Sequence, residues 1–212
     1  MSIHQMAAFA DTATQLHPLV FPSAQVQPIS LYGGDSEIYG QGEQAGALYQ
    51  IEFGAVRLYR LLADGRRQIS AFHLAGEVFG FESGDTHHFF AEAICATGLR
   101  VIRPAHGADL SRQLLPLALK GLVRAQEHLL VLGRQSALER VAAFMLDMAE
   151  RQGGLETFDL PMSRTDIGDY LGLTIETVSR IISQLRARGI IRLKTLRTVE
   201  LLKPNALRDI SE

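Results

Sequence analysis

The stretch Leu160-Pro-Met-Ser-Arg-Thr-Asp-Ile-Gly-Asp-Tyr-Leu-Gly-Leu-Thr-Ile-Glu-Thr-Val-Ser-Arg180 reads as two short helices joined by a tight turn. Ser163 precedes Asp166 by three residues, an acidic form of the capping box in which each residue satisfies the other's free backbone amide. A helix therefore starts there. Ile167, Tyr170 and Leu171 give it one apolar stripe, Gly168 lets another segment approach closely, and Gly172 supplies the left-handed residue that ends it. Thr174 caps a second helix that runs to about Arg188 and stops at Gly189. At about 100° per residue, Val178, Ile181, Ile182 and Leu185 share an inward arc, while Glu176, Ser179, Arg180 and Ser183 gather on the opposite side.

That outward set matches what reading a DNA major groove requires. A carboxylate accepts from cytosine N4, a guanidinium donates two bonds to guanine O6 and N7, and a hydroxyl adapts to either. Glu176, Ser179 and Arg180 are the expected base-reading residues. Glu176 and Arg180 also stand at i and i+4, the spacing of an ordinary surface ion pair worth about 0.2–0.5 kcal/mol. The segment 190–202 alternates apolar and basic residues and reads as a hairpin wing. Expected phosphate contacts are Arg164 and Thr165 at the start of the first helix, Thr174, Thr177 and Ser183 on the second, and Lys194 and Arg197 on the wing. Such contacts set orientation and salt sensitivity rather than sequence choice.

Charge points the same way. The 212 residues carry a formal net charge of −2, yet the run between Glu176 and Glu200 holds no acid and six bases: Arg180, Arg186, Arg188, Arg192, Lys194 and Arg197. A local basic field on a nearly neutral chain suits a polyanion at this end, although a solvated basic face would look similar.

Working outward, residues 136–151 form another helix ahead of Gly153 and Gly154, so residues 136–212 are read as a winged helix-turn-helix domain. Before it, residues 111–135 read as a long helix with Leu115, Leu119, Leu122, Gln126 and Leu129 at steps of four and three, a coiled-coil seam whose polar member fixes register. A symmetric homodimer follows, unless that helix packs only on its own domain. Pro116 falls near its start, where a helix tolerates proline. Residues 1–110 are read as a β domain, with glycines breaking short apolar runs from Ile29 to about Arg103. Its clearest hairpin spans residues 55–72 around Asp64-Gly65, with Val56, Leu58, Ile69 and Ala71 alternating with polar residues. The fold class expected is α+β: an N-terminal antiparallel β-roll of cupin-like jelly-roll form, a dimerisation helix and a winged helix-turn-helix.

Composition removes several alternatives. The chain is 47% hydrophobic and 21% charged, enough to bury a core. No apolar run approaches the roughly 18 residues that span a bilayer. Residues 1–10 hold no Lys or Arg, which argues against a secretory signal and sets a cytoplasmic expectation. The one cysteine, Cys95, excludes an internal disulfide, a zinc knuckle and a cysteine-ligated iron–sulfur cluster. No nucleophile with a His and an acid at informative spacing, no phosphate loop and no metal motif are present, so no catalytic residue, metal or cofactor is assigned. His73, His87 and His88 could in principle ligate haem or a metal, and surface or core roles are commoner for histidine.

On these residues the chain resembles the CRP/FNR superfamily of transcription regulators over essentially its full length. The stretch Ser136-Ala-Leu-Glu-Arg-Val-Ala-Ala-Phe-Met-Leu146 and the opening stretch look like the fumarate–nitrate branch and its FixK-like relatives. In that branch the pattern Glu-x-x-Ser-Arg, here Glu176, Ser179 and Arg180, reads half-sites like TTGAT paired with ATCAA. The cyclic-AMP branch has an Arg before the Glu, where this chain has Ile175, so the resemblance implies a palindromic TTGA-type site. It also implies recruitment of RNA polymerase, mainly for activation, at genes of low-oxygen respiration or nitrogen fixation. Two departures bear on sensing. One cysteine cannot hold the oxygen-sensing cluster, and the cyclic-nucleotide receptors follow Gly-Glu-Leu with an Arg-Ser pair, whereas residues 68–99 here contain no Lys or Arg. A buried phosphate without a cation would be costly, so no cyclic nucleotide is expected. Some FixK-like members have an oxidisable cysteine where this chain has Ser179. The alternative is a regulator of the same fold gated by haem or another small molecule.

Overall fold

A computed structural model describes residues 28–103, 108–133 and 136–212 of the chain. Residues 1–10, the change of pattern at Pro104 and the expected helix end at Arg134 lie outside them. Among the described residues the N-terminal part holds eight strands: β1 (Ile29–Tyr32), β2 (Glu37–Tyr39), β3 (Leu48–Phe53), β4 (Ala55–Leu61), β5 (Arg67–Leu74), β6 (Val78–Phe79), β7 (Phe90–Ala93) and β8 (Thr97–Ile102). They form two antiparallel four-stranded sheets, β1-β8-β3-β6 and β2-β7-β4-β5. Tyr39, Ile51, Val56, Phe79, Ala91 and Leu99, drawn from both sheets, share one buried cluster, so the sheets face each other as in a jelly roll.

The expected hairpin is β4 paired with β5, and Gly65 takes a left-handed φ of 81° in its turn. Its alternation is less clean than the sequence reading supposes, because both faces are covered. Val56 points into the roll, whereas Ala55, Ile69 and Phe72 join a second cluster with Val141, Phe144 and Met145 of the C-terminal part. A sheet covered on both faces keeps polar residues only where they find partners, as Arg57 and Arg67 do.

Helix α1 (Ala108–Leu132) follows. It begins three residues before the expected Ser111, which moves Pro116 into the helix interior rather than its first turn. Leu114 and Leu117 pack on Leu48 and Ile102, and Val131 reaches the larger cluster. Then come α2 (Ala137–Arg151), β9 (Thr157–Asp159), α3 (Arg164–Leu171), α4 (Ile175–Ala187), β10 (Ile191–Leu193), β11 (Thr198–Leu201) and α5 (Pro204–Ser211). Ser136 caps α2, its hydroxyl accepting from the Glu139 amide at 3.1 Å. The wing is a three-stranded sheet in the order β10-β11-β9 rather than a lone hairpin, and α5 closes the domain by burying Leu207. No helix among the described residues is long and apolar enough to cross a membrane.

Two polar seams add to the apolar contact between the halves. Glu77, between β5 and β6, accepts from Arg151 of α2 at 2.9 Å and pairs with Arg124 of α1 at 2.8 Å. Burial alone would raise its pKa, but the neighbouring His73 and the charge and hydrogen bonds of Arg151 hold it well below the usual carboxylate range. The second seam joins β4 and β5 to α3 through Arg57, Arg67, Asp166 and Asp169.

Candidate nucleic-acid interface

The first helix of the reading pair starts as the sequence pattern requires. Ser163 Oγ accepts from the Asp166 amide at 3.0 Å, and Asp166 Oδ2 accepts from the Ser163 amide at 3.0 Å, a complete capping box. Gly172 ends α3 with φ 65° and ψ 39°. Gly168 is required for a different reason: a Cβ there would stand 2.6 Å from the Leu173 carbonyl oxygen. The turn therefore passes directly over α3, and the Leu173 amide donates to the Gly168 carbonyl at 3.0 Å.

Thr174 caps α4, its hydroxyl accepting from the Thr177 amide at 3.3 Å. Val178, Ile181, Ile182 and Leu185 are buried, whereas Glu176, Ser179, Arg180 and Ser183 are all exposed. Four side chains able to read base edges or hold phosphate thus share one open face of the helix. The Glu176 carboxyl is held below its usual range by its own backbone amide and the Thr174 hydroxyl, so it is an acceptor at neutral pH.

The expected phosphate-contacting residues divide into three groups. Thr165, Thr174, Ser183 and Arg197 are exposed and open to a ligand. Thr177 is half-buried, with its hydroxyl 3.2 Å from that of Thr174. Arg164 is also half-buried, its Nη1 has no hydrogen-bond partner, and burial lowers its pKa. An anion at the start of α3 would supply that missing partner. Lys194 differs from the simple expectation: its Nζ lies 3.2 Å from Glu200 and 3.1 Å from the Thr157 hydroxyl, while Arg192 takes the other Glu200 oxygen at 3.0 Å. Glu200 lies three residues beyond Arg197 in sequence, and only the strand pairing brings it to Arg192 and Lys194.

On α1 the seam residues Leu115, Leu119, Leu122 and Leu129 are 58%, 50%, 55% and 67% exposed, and Gln126 is exposed beside them. Val123 and Leu130 add to that uncovered apolar surface. A cleft of about 450 Å³ lies between β5, α1 and α2, with Phe72, Arg124, Phe144 and Tyr170 among its walls. The histidines weighed as ligands are engaged elsewhere. His87 stacks on Tyr39 at 3.6 Å, and His87 and His88 both contact Glu82. His73 lies 3.6 Å from Glu77. Cys95 is half-buried and unpaired.

Comparison with known proteins covers both halves. A family model described as a Crp-like helix-turn-helix domain matches residues 139–210, and one described as a cyclic nucleotide-binding domain matches residues 31–106. The nitrogen fixation regulation protein FixK of Rhizobium meliloti strain 1021 is 53% identical over 189 residues, 89% of this chain and 90% of the relative. FixK of Azorhizobium caulinodans is 44% identical over 191 residues, 84% of this chain and 77% of the relative. Among solved structures, FixK2 from Bradyrhizobium japonicum superposes with a TM-score of 0.83 at 45% identity, covering 89% of this chain and 98% of that one.

Proposed function

The chain belongs to the CRP/FNR family of transcription regulators, on its FixK branch, and from that starting point we propose that it binds a palindromic TTGA-type duplex as a homodimer. It is a helix-turn-helix regulator and not an enzyme. Glu176, Ser179 and Arg180 read base edges. Arg164, Thr165, Thr174, Thr177, Ser183, Lys194 and Arg197 contact phosphates, and Lys194 does so by exchanging Glu200 for the duplex. Leu115, Leu119, Leu122, Gln126 and Leu129 form the twofold seam that places two recognition helices in successive major grooves about 34 Å apart. The bound dimer recruits RNA polymerase and mainly activates, in the cytoplasm, at genes of microaerobic life or nitrogen fixation. Neither a cyclic nucleotide nor an iron–sulfur cluster takes part, since the roll offers no cation between Gln68 and Leu99 and the chain has one thiol.

The observation that carries this reading is the open face of α4, where Glu176, Ser179 and Arg180 stand exposed above a fully apolar underside. Selection of bound sites from random duplexes tests it. Recovery of an inverted repeat of TTGA-type half-sites is the expected result, and recovery of no common sequence overturns it.

The cleft between β5, α1 and α2 favours a second reading, in which a small molecule or haem gates the same DNA binding. Operator affinity measured with and without haem or a small-molecule extract of cells separates the two. Gating predicts a change and the first reading predicts none.

A further inference from the structure

The ion network between the roll and α3 is built more elaborately than adhesion requires. Arg57 of β4 is 8% exposed at its side chain and Asp166 is 4% exposed. Arg57 Nη1 lies 3.4 Å from Asp166, and its Nη2 is held by Asp35 at 2.7 Å and by Glu92. Arg67 of β5 reaches Asp166 at 2.5 Å and Asp169 at 3.0 Å. Gln68 adds a bond from its amide nitrogen to the Asp169 carbonyl at 2.7 Å. Burial works against the charge on Arg57, but the hydrogen bond to Asp35 and the charges of Asp166 and Glu92 outweigh it, so the guanidinium stays protonated. Just beyond, Tyr170 packs on Phe72 of β5, with ring centroids 5.0 Å apart.

Buried ion pairs are weak evidence for stability, because desolvation offsets much of their attraction. What they supply is direction, since a guanidinium fork meets a carboxylate in few geometries. Here the direction is handed on. Gly168 and Leu173 press α3 against the turn, so the orientation of α3 sets that of α4. We propose that Arg57 and Arg67 are positioning residues for operator recognition, which fix α4 relative to the roll and thereby set the half-site spacing the dimer accepts. This rests on the DNA-binding reading above. In a twofold pair each recognition helix must meet its own groove, and one base pair of added spacing moves a half-site by about 3.4 Å along the axis. A rigidly held α4 rejects that displacement, whereas a loosened one follows it.

The test uses the full chain and the half-sites recovered by selection. Affinities are measured for duplexes with native spacing, with one base pair removed or added, and with a single half-site. Wild type is expected to prefer the native spacing by roughly tenfold, the order of one mismatched base pair. In Arg67→Gln and Asp169→Asn, neither of which touches the reading face, the spacing preference, taken relative to each variant's own single half-site affinity, should fall several-fold. Arg67→Lys, which keeps the charge, should restore part of it. A network that merely stabilised the fold would lower melting temperature without changing that ratio. If Arg67→Gln does not fold, Asp169→Asn, of nearly identical shape, decides. Folded, dimeric variants that keep the wild-type ratio overturn the proposal. Wild type that binds no half-site overturns the functional reading first, and the spacing proposal with it.

Discussion

The imidazole of His128 lies flat on the phenol of Tyr170, with ring centroids 3.8 Å apart and planes 9° apart. The long helix and the first helix of the reading pair thus meet through two aromatic faces. Burial pushes His128 down to about 4, so the ring is neutral at pH 7, and burial also raises the Tyr170 phenol. The unfolded chain takes up this proton near 6.5, while the folded chain resists until about 4. Stability is therefore intact above about 6.5 and lost as pH falls through that window. Denaturant midpoints at pH 7.5 and 5 should differ more for wild type than for His128→Phe, which keeps the stack without the titrating nitrogen. Equal differences would exclude His128 as the source.

Base reading and phosphate contact separate in binding assays. Arg180→Ala should cost about 1–3 kcal/mol at its own base pair and relax choice there. Arg197→Ala should weaken all sequences alike and reduce the slope of log affinity against log salt by about 1. Sequence discrimination retained by Arg180→Ala would remove it from the reading set.

Gly168→Ala places a methyl group 2.6 Å from the Leu173 carbonyl oxygen, which is backbone and cannot swing aside. We expect a loss of about 1–3 kcal/mol, the usual cost of overpacking, and weakened DNA binding. Gly121, inside α1 with nothing within 4 Å of an added Cβ, is the contrast: alanine there should be neutral or stabilising by up to about 1 kcal/mol. Thermal melts of the two variants check both.

Leu122→Glu puts a charge on the exposed seam of α1. Sedimentation should show the dimer replaced by monomer, with full-site affinity falling far more than half-site affinity. An unchanged sedimentation coefficient would place the twofold contact elsewhere.

Local signals were legible wherever the physics is local. The Ser163 and Asp166 cap, the left-handed Gly172 and the division of α4 into two faces all follow from neighbours within a few residues. The three-residue strand β9 is too short to show a period, and α5 announces itself only by Pro204 at its first turn. The early start of α1 escaped because Pro116 suggests a beginning nearby. Partners distant along the chain were not readable at all: nothing near Asp166 indicates that its charge is met by Arg57, 109 residues earlier. The same holds for Lys194, whose claim on Glu200 depends on strand register.

Asp166 and Asp169 lie within about two turns of Arg164 and Thr165 along α3. Held by Arg57 and Arg67, the buried Asp166 and the partly exposed Asp169 are neutralised on the side of the helix that meets the roll. Severed from those two arginines, the same helix would offer bare negative charge beside the residues meant to grip phosphate. The jelly roll is therefore a counter-charge for the reading head as well as its support, and a fragment without it would grip its duplex less firmly.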